Sequence, residues 1–200
     1  MLPPRQSTIL QGMYGLINKA VHGLICERFG TEAWERIRSR AGLPNEPFVA
    51  METYDDAVTF RIVAAATEEL SIRSEDIMRE FGRFWTLYTA EAGYGELMKS
   101  AGKTFPEFVR NLDSLHTRVQ LSFPYLQPPS FSVVEETPHS MVVHYYSSRP
   151  GLAPLVVGLF EGLGERFSLK LDIEHRAVSA SPAHGVFAIT WRASPPPSPA

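Results

Sequence analysis

The apolar residues of this 200-residue chain change their spacing once, across the Phe123-Pro124 and Pro128-Pro129 breakers, and that change decides what the chain can fold into. Before the breakers they recur every three or four residues, as on one face of a helix. Leu16, Ile17, Ala20, Val21, Leu24 and Ile25 predict a helix over 14–29 that ends at Gly30. Thr31 is placed to cap a second helix through Ala41, with Trp34 and Ile37 inward and Gly42 and Pro44 as the stop. Val58, Ile62, Val63 and Ala66 share a face over 55–70. Ile77, Met78, Phe81, Phe84, Trp85 and Tyr88 do the same in a helix expected to follow Ser74 as its cap and to be interrupted by Gly93 and Gly95. A turn over 96–100 comes next. Thr104 then caps a helix predicted to run unbroken through Phe105, Phe108, Val109, Leu112, Leu115, His116 and Val119 to about Leu121.

After the breakers, β-branched and aromatic residues predict strands over 131–134 and 140–148, joined at a Thr137-Pro138 turn. A helix is expected over 152–167 and two further strands over 169–174 and 186–191. Helices first and a small antiparallel sheet with one packed helix afterwards make an α+β arrangement, with an N-terminal helical subdomain. Residues 1–12, with an early Pro-Pro, and 193–200 (ASPPPSPA) read as disordered tails, so the expected folded unit is 13–192.

A hydrophobic content of 44% in that length suffices to enclose a small cofactor in one core. The net charge of -3 leaves no broad positive field, so neither nucleic acid nor an anionic membrane is an expected partner. Cys26 is the single cysteine, which excludes an internal disulfide and an all-cysteine metal cage and suits a reducing compartment; as a neighbour of Ile25 it reads as a small packing residue. No apolar run approaches the roughly 18 residues of a membrane span, and the expected location is the cytoplasm.

Templates for catalysis fail. The chain has no Gly-x-Ser-x-Gly elbow, no phosphate-cradling glycine loop and no His-Glu-x-x-His pair. Asp55-Asp56 and Glu68-Glu69 are adjacent in sequence, so on a helix they diverge and read as a solvated face. His116 is different, because its helical neighbours Phe108, Leu112, Leu115 and Val119 turn it toward the core. Such an imidazole is either a neutral core histidine bonded to a carbonyl or an axial metal ligand, and spacing alone does not separate the two. Tyr145, Ser147 and Arg149 alternate onto one side of a strand and supply a phenol, a hydroxyl and a guanidinium, donors suited to carboxylates. For an isolated Tyr-x-Ser-x-Arg, an ordinary polar strand face is the competing reading.

Across nearly the whole folded length the chain resembles the H-NOX (haem nitric oxide/oxygen binding) family, which is related to the haem domain of soluble guanylate cyclase. The residues that carry the resemblance are Met13-Tyr14-Gly15-Leu16-Ile17-Asn18-Lys19-Ala20, Phe81-Gly82-Arg83-Phe84-Trp85, Asn111-Leu112-Asp113-Ser114-Leu115-His116-Thr117-Arg118, Pro128-Pro129-Ser130-Phe131, and Tyr145-x-Ser147-x-Arg149 followed by Gly151-Leu152-Ala153-Pro154. The resemblance implies haem b buried between the helical subdomain and the sheet, with His116 as proximal iron ligand. It further implies Tyr145, Ser147 and Arg149 as a clamp on the haem propionates and Pro129 as the residue that bends the porphyrin. The family begins at the position of Met13, so the preceding twelve residues are either an extension that bends away or the product of a misassigned start codon.

In oxygen-binding relatives a tyrosine early in the helix after the clamp donates to the gas; the matching residue here is Leu155, which cannot donate. A charge-assisted hydrogen bond contributes about 1.5–3 kcal/mol, so its loss implies more than a ten-fold drop in oxygen affinity and favours nitric oxide and carbon monoxide. Ile17, Trp85 and Leu155 are then expected to form a mostly apolar distal wall, although Trp85 also reads as a simple core aromatic. The resemblance implies a monomeric gas sensor that is not an enzyme. Its output, by loss of the histidine bond, is expected to pass to a separate histidine kinase or cyclic-di-GMP enzyme. Competing classes are an oxygen-binding H-NOX, a haem enzyme such as a peroxidase, and a scaffold with an empty or lipid-filled pocket.

Overall fold

The structure is a computed structural model that describes residues 12–91 and 94–194, so the expected tails at 1–11 and 195–200 and the interruption at Gly93 lie outside the described residues. The chain divides into two compact units, 1–72 and 73–200.

In the first unit, strand β1 (Gly12–Tyr14) leads into helices α1 (Gly15–Phe29) and α2 (Thr31–Arg40), followed by strand β2 (Thr53–Asp55) and helix α3 (Asp56–Leu70). The three predicted helices are present. Gly30 at φ 85° both ends α1 and opens α2, because the left-handed side of φ is open to a residue without Cβ; Thr31 is therefore the first helical residue and not the predicted cap. Asp55 caps α3 by accepting from the Ala57 N–H at 2.8 Å. Trp34, Ile37, Ile62 and Ala66 are buried as their spacing requires, whereas Val58 and Val63 are only half-buried and Thr59 and Ala65 take the inner positions. Thr59 Oγ1 donates to Asn18 Oδ1 at 2.7 Å inside this core. The antiparallel β1–β2 ribbon was not expected, since three residues per strand are too few to show alternation.

The second unit holds helices α4 (Ser74–Glu91), α5 (Gly95–Ala101), α6 (Phe105–Arg110) and α7 (Leu112–Gln120), strands β3 (Ser130–Thr137) and β4 (Ser140–Ser147), helix α8 (Ala153–Arg166), and strands β5 (Leu169–Ala180) and β6 (Ala183–Ala193). The four strands form an antiparallel sheet in the order β3-β4-β6-β5. Met141, Val143 and Tyr145 of β4 and Phe187 and Ile189 of β6 line its inner face, where Val156, Phe160 and Leu163 of α8 and Phe105, Phe108 and Val109 of α6 complete the core. Ile77, Phe81 and Phe84 of α4 are buried as predicted, and the side chain of Tyr88 lies outside the described residues. Ser74 is the first helical residue of α4 and not the predicted cap.

Two expectations for this unit change. The helix predicted from Thr104 to about Leu121 is broken at Asn111 (φ −96°, ψ 6°), whose Nδ2 donates to the Ala101 carbonyl at 2.8 Å and ties the break to the end of α5. Strands β5 and β6 extend well beyond 169–174 and 186–191, because residues 174–180 of β5 are exposed and held by backbone pairing with β6, leaving no apolar alternation to read.

Helices α4 and α8 pack at backbone distance. A Cβ placed on Gly158 would lie 1.9 Å from the Arg79 carbonyl oxygen, and one on Gly82 would lie 2.1 Å from that of Leu155. Arg79 pairs with Glu161 and Arg83 with Glu165 along the same seam. Replacing Gly158 with alanine is expected to force the helices apart and destabilise the fold by about 1–3 kcal/mol, a downward shift in denaturation midpoint measurable by urea unfolding.

Candidate functional site

Helix α7, set off by the Asn111 break, carries His116 on its second turn. The imidazole Nδ1 is buried and makes no hydrogen bond among the described residues, although the Pro129 carbonyl approaches the ring. Burial holds the imidazole below its ordinary pKa, against the upward pulls of the Asp113 carboxylate and that carbonyl. His116 is therefore a neutral base with an unused nitrogen, an unusual state for a buried polar atom.

Phe131 links this imidazole to the sheet. Its ring centroid is 6.1 Å from that of His116 and 5.4 Å from that of Tyr145. Tyr145 is 3% exposed on the inner face of β4, and burial raises its phenol pKa while the Ser147 hydroxyl, its hydrogen-bond partner, and the Arg149 charge oppose the rise. Ser147 Oγ accepts from the Arg149 N–H at 3.0 Å, and Arg149 Nη1 donates to the Gln127 carbonyl at 3.1 Å. Tyr145, Ser147 and Arg149 thus form one contiguous polar group, and Arg149 reaches the loop that ends at Pro129.

The structure brings His116, Pro129, Tyr145, Ser147 and Arg149 into one neighbourhood of the second unit. Trp85 lies on α4, half-buried against Phe81 with centroids 6.1 Å apart, and Leu155 is half-buried in the first turn of α8; the Gly82–Leu155 approach places these two on adjoining helices. Ile17 is half-buried on α1 in the first unit.

One residue with a structural part here was not singled out from the sequence. Asp113 stands three residues before His116, and its carboxylate accepts from Ser130 Oγ and the Phe131 N–H, both at 2.8 Å. It ties the helix of His116 to β3, which starts at Ser130 just after Pro129. The i, i+3 spacing puts it beside His116, but its partners are 17 and 18 residues away and leave no local signal.

The donor set fits an iron porphyrin: a neutral, desolvated imidazole for the metal, apolar and aromatic walls for the ring, and a hydroxyl, phenol and guanidinium for carboxylates. A family model described as Haem-NO-binding matches residues 14–175. The chain belongs to the Haem-NO-binding family. It is an H-NOX gas-sensor domain that binds haem, and such domains are sensors without catalytic activity of their own.

Among curated proteins the chain is similar to soluble guanylate cyclase gcy-31 of Caenorhabditis elegans, 27% identical over 169 residues, 82% of this chain and 24% of that protein. It is also similar to gcy-35 of the same organism, 30% identical over 158 residues, 77% of this chain and 23% of that protein. The chain therefore spans about a quarter of the length of these cyclases. Among solved structures, the unliganded Fe(II) H-NOX protein from K. algicida has a TM-score of 0.80 at 21% identity, over 90% of this chain and 97% of that one. An S. oneidensis H-NOX protein in the Fe(II)NO state has a TM-score of 0.80 at 19% identity, over 90% and 99%. These two show that the α+β arrangement is the H-NOX fold. Among the described residues no helix is long and apolar enough to cross a membrane.

Two outcomes follow from this geometry. Asp113→Ala removes the acceptor of the Phe131 N–H and is expected to lower stability by about 1 kcal/mol in denaturant unfolding, with Asp113→Asn, which keeps one carbonyl acceptor, losing less. In the haem-free chain, the stability that depends on neutral His116 is complete above the ordinary imidazole value near 6.5 and is lost as pH falls through the lowered folded value. His116→Leu should flatten the pH dependence of unfolding over that window, with a remainder from His22 and His175, which burial also lowers.

Proposed function

We propose that this H-NOX domain senses nitric oxide, and carbon monoxide, at a ferrous haem b held by His116, and that it signals to a separate effector protein in the cytoplasm. The observation that carries this reading is the buried, unpartnered Nδ1 of a neutral His116 beside the Tyr145–Ser147–Arg149 group. When bound, haem supplies an open iron position for a diatomic gas. His116 is assigned as the proximal ligand, and Tyr145, Ser147 and Arg149 as donors to the propionates. Pro129, fixed between Gln127 and the Asp113-anchored start of β3, is assigned as the residue that would bend the ring. Trp85 and Leu155 of the second unit are assigned to the distal wall, within a haem-binding region of residues 13–192.

Selectivity rests on Leu155, which offers no hydrogen bond to a gas that gains negative character on binding. Signal output rests on α7. Asn111 holds the start of this helix and the Asp113 carboxylate ties it to β3, so a change in what His116 holds would act on the strand that follows Pro129. A gas that bound more tightly when His116 is released would shift a two-state equilibrium of α7. A histidine kinase or a cyclic-di-GMP enzyme is the effector class we assign, reading a monomeric sensor.

The test is the absorption spectrum of the ferrous protein with each gas. Nitric oxide is expected to produce the spectrum of a haem that has lost its histidine, and His116→Gly is expected to make haem content depend on added imidazole. Pigment and gas response unchanged in His116→Gly would overturn the assignment. Leu155→Tyr is expected to raise oxygen affinity by more than about ten-fold, from one new bond of about 1.5–3 kcal/mol.

A further inference from the structure

We propose that His144 and His184 form a binding site for a divalent transition ion on the outer face of the sheet, separate from the haem site. The two residues lie on neighbouring strands, β4 and β6, where His144 pairs with Val186 and His184 with Tyr146, so they are diagonal neighbours on one face. That face is opposite to the one bearing Tyr145 and Phe187, because side chains alternate along each strand. His144 Nδ1 and His184 Nε2 are 3.0 Å apart. Two imidazole nitrogens bound side by side to one ion, each at about 2.0–2.1 Å, are separated by about 2.9–3.4 Å, so the pair already has the spacing of two adjacent ligands.

Tyr146 holds both rings in this arrangement. Its ring stacks on His184 with centroids 4.3 Å apart and planes 18° from parallel, and its hydroxyl is 3.3 Å from His144 Nδ1. Both imidazoles are half-buried and Tyr146 is 41% exposed, so an ion can reach the pair from solvent. In the ion-free pair one nitrogen carries the hydrogen and the other accepts it. Ion entry requires that hydrogen to move to the other nitrogen of the same ring and both rings to turn, so that the lone pairs facing each other across the 3.0 Å gap, the one on His144 Nδ1 also near the Tyr146 hydroxyl, converge on the ion; no net proton or electron is transferred.

No group of three or more His, Cys, Asp or Glu side chains is placed to hold a metal among the described residues, so water or an outside ligand completes the coordination. Imidazole pairs with open positions suit copper, nickel and zinc, with copper(II) bound most strongly.

The test is titration of the full chain as purified with zinc(II) by calorimetry and with copper(II) by electron paramagnetic resonance. One ion per chain and a two-nitrogen copper signature are expected. His144→Gln and His184→Gln should each weaken binding by about ten-fold or more, while His139→Gln and His175→Gln leave it unchanged. His116→Leu should also leave it unchanged, which separates this site from the haem ligand whether or not haem is present. Absence of saturable binding, equal affinity in His144→Gln and His184→Gln, or loss in His116→Leu would overturn the proposal. Haem content and gas spectra are read independently, so either assignment can fail without the other.

Discussion

The second unit carries a half-buried imidazole, His116, one of whose nitrogens is buried without a hydrogen-bond partner. Leaving a polar atom in that state costs about 1–3 kcal/mol, and the ring's nearest described neighbours are the Phe131 ring and the Pro129 carbonyl. Under the function proposed above, a porphyrin iron would give His116 the partner it lacks. The two anchors on α7 follow from the same requirement: Asn111 fixes the start of the helix to α5, and Asp113 fixes its first turn to β3. Both anchors lie just before His116 in the chain and so fix where its side chain starts.

Strand β4 separates two chemistries by the pleat alone. Its inward residues, Tyr145 and Ser147, belong to the cluster of donors that also includes Arg149, and its outward residues, His144 and Tyr146, belong to the imidazole pair with His184. A slip of one residue in the pairing of β4 with β6 would exchange these faces and dissolve both groups. The continuous register from Ser140 to Ser147 against β6 is what keeps the two groups on opposite faces.

The distal assignments depend on how closely α4 and α8 approach. Glycines at 82, 158 and 162 let the two backbones touch, and the Arg79–Glu161 and Arg83–Glu165 pairs hold the helices in one register along the seam. Exposed ion pairs of this kind contribute little stability individually, so the close approach rests mainly on the missing side chains. Leu155 and Trp85 inherit their positions from that seam.

Much of the fold was legible because it is written in short-range patterns. Helical spacing located the three helices of the first unit and the long helix that carries Trp85, alternation located the hairpin, and the motifs around His116 and Tyr145 identified the family. The break at Asn111, the ribbon of β1 and β2 and the outer halves of β5 and β6 were not legible, since they depend on an amide reaching a carbonyl ten residues away or on backbone pairing that leaves side chains in solvent. The same holds for Asp113 and for the His144–His184 pair, whose partners are 17 and 40 residues distant. Sequence by itself determined which residue types could meet an iron porphyrin and which elements would carry them. Only the tertiary structure decided which atoms are left unpartnered and which imidazoles face each other, because hydrogen-bond satisfaction is a property of three-dimensional neighbours rather than of order along the chain.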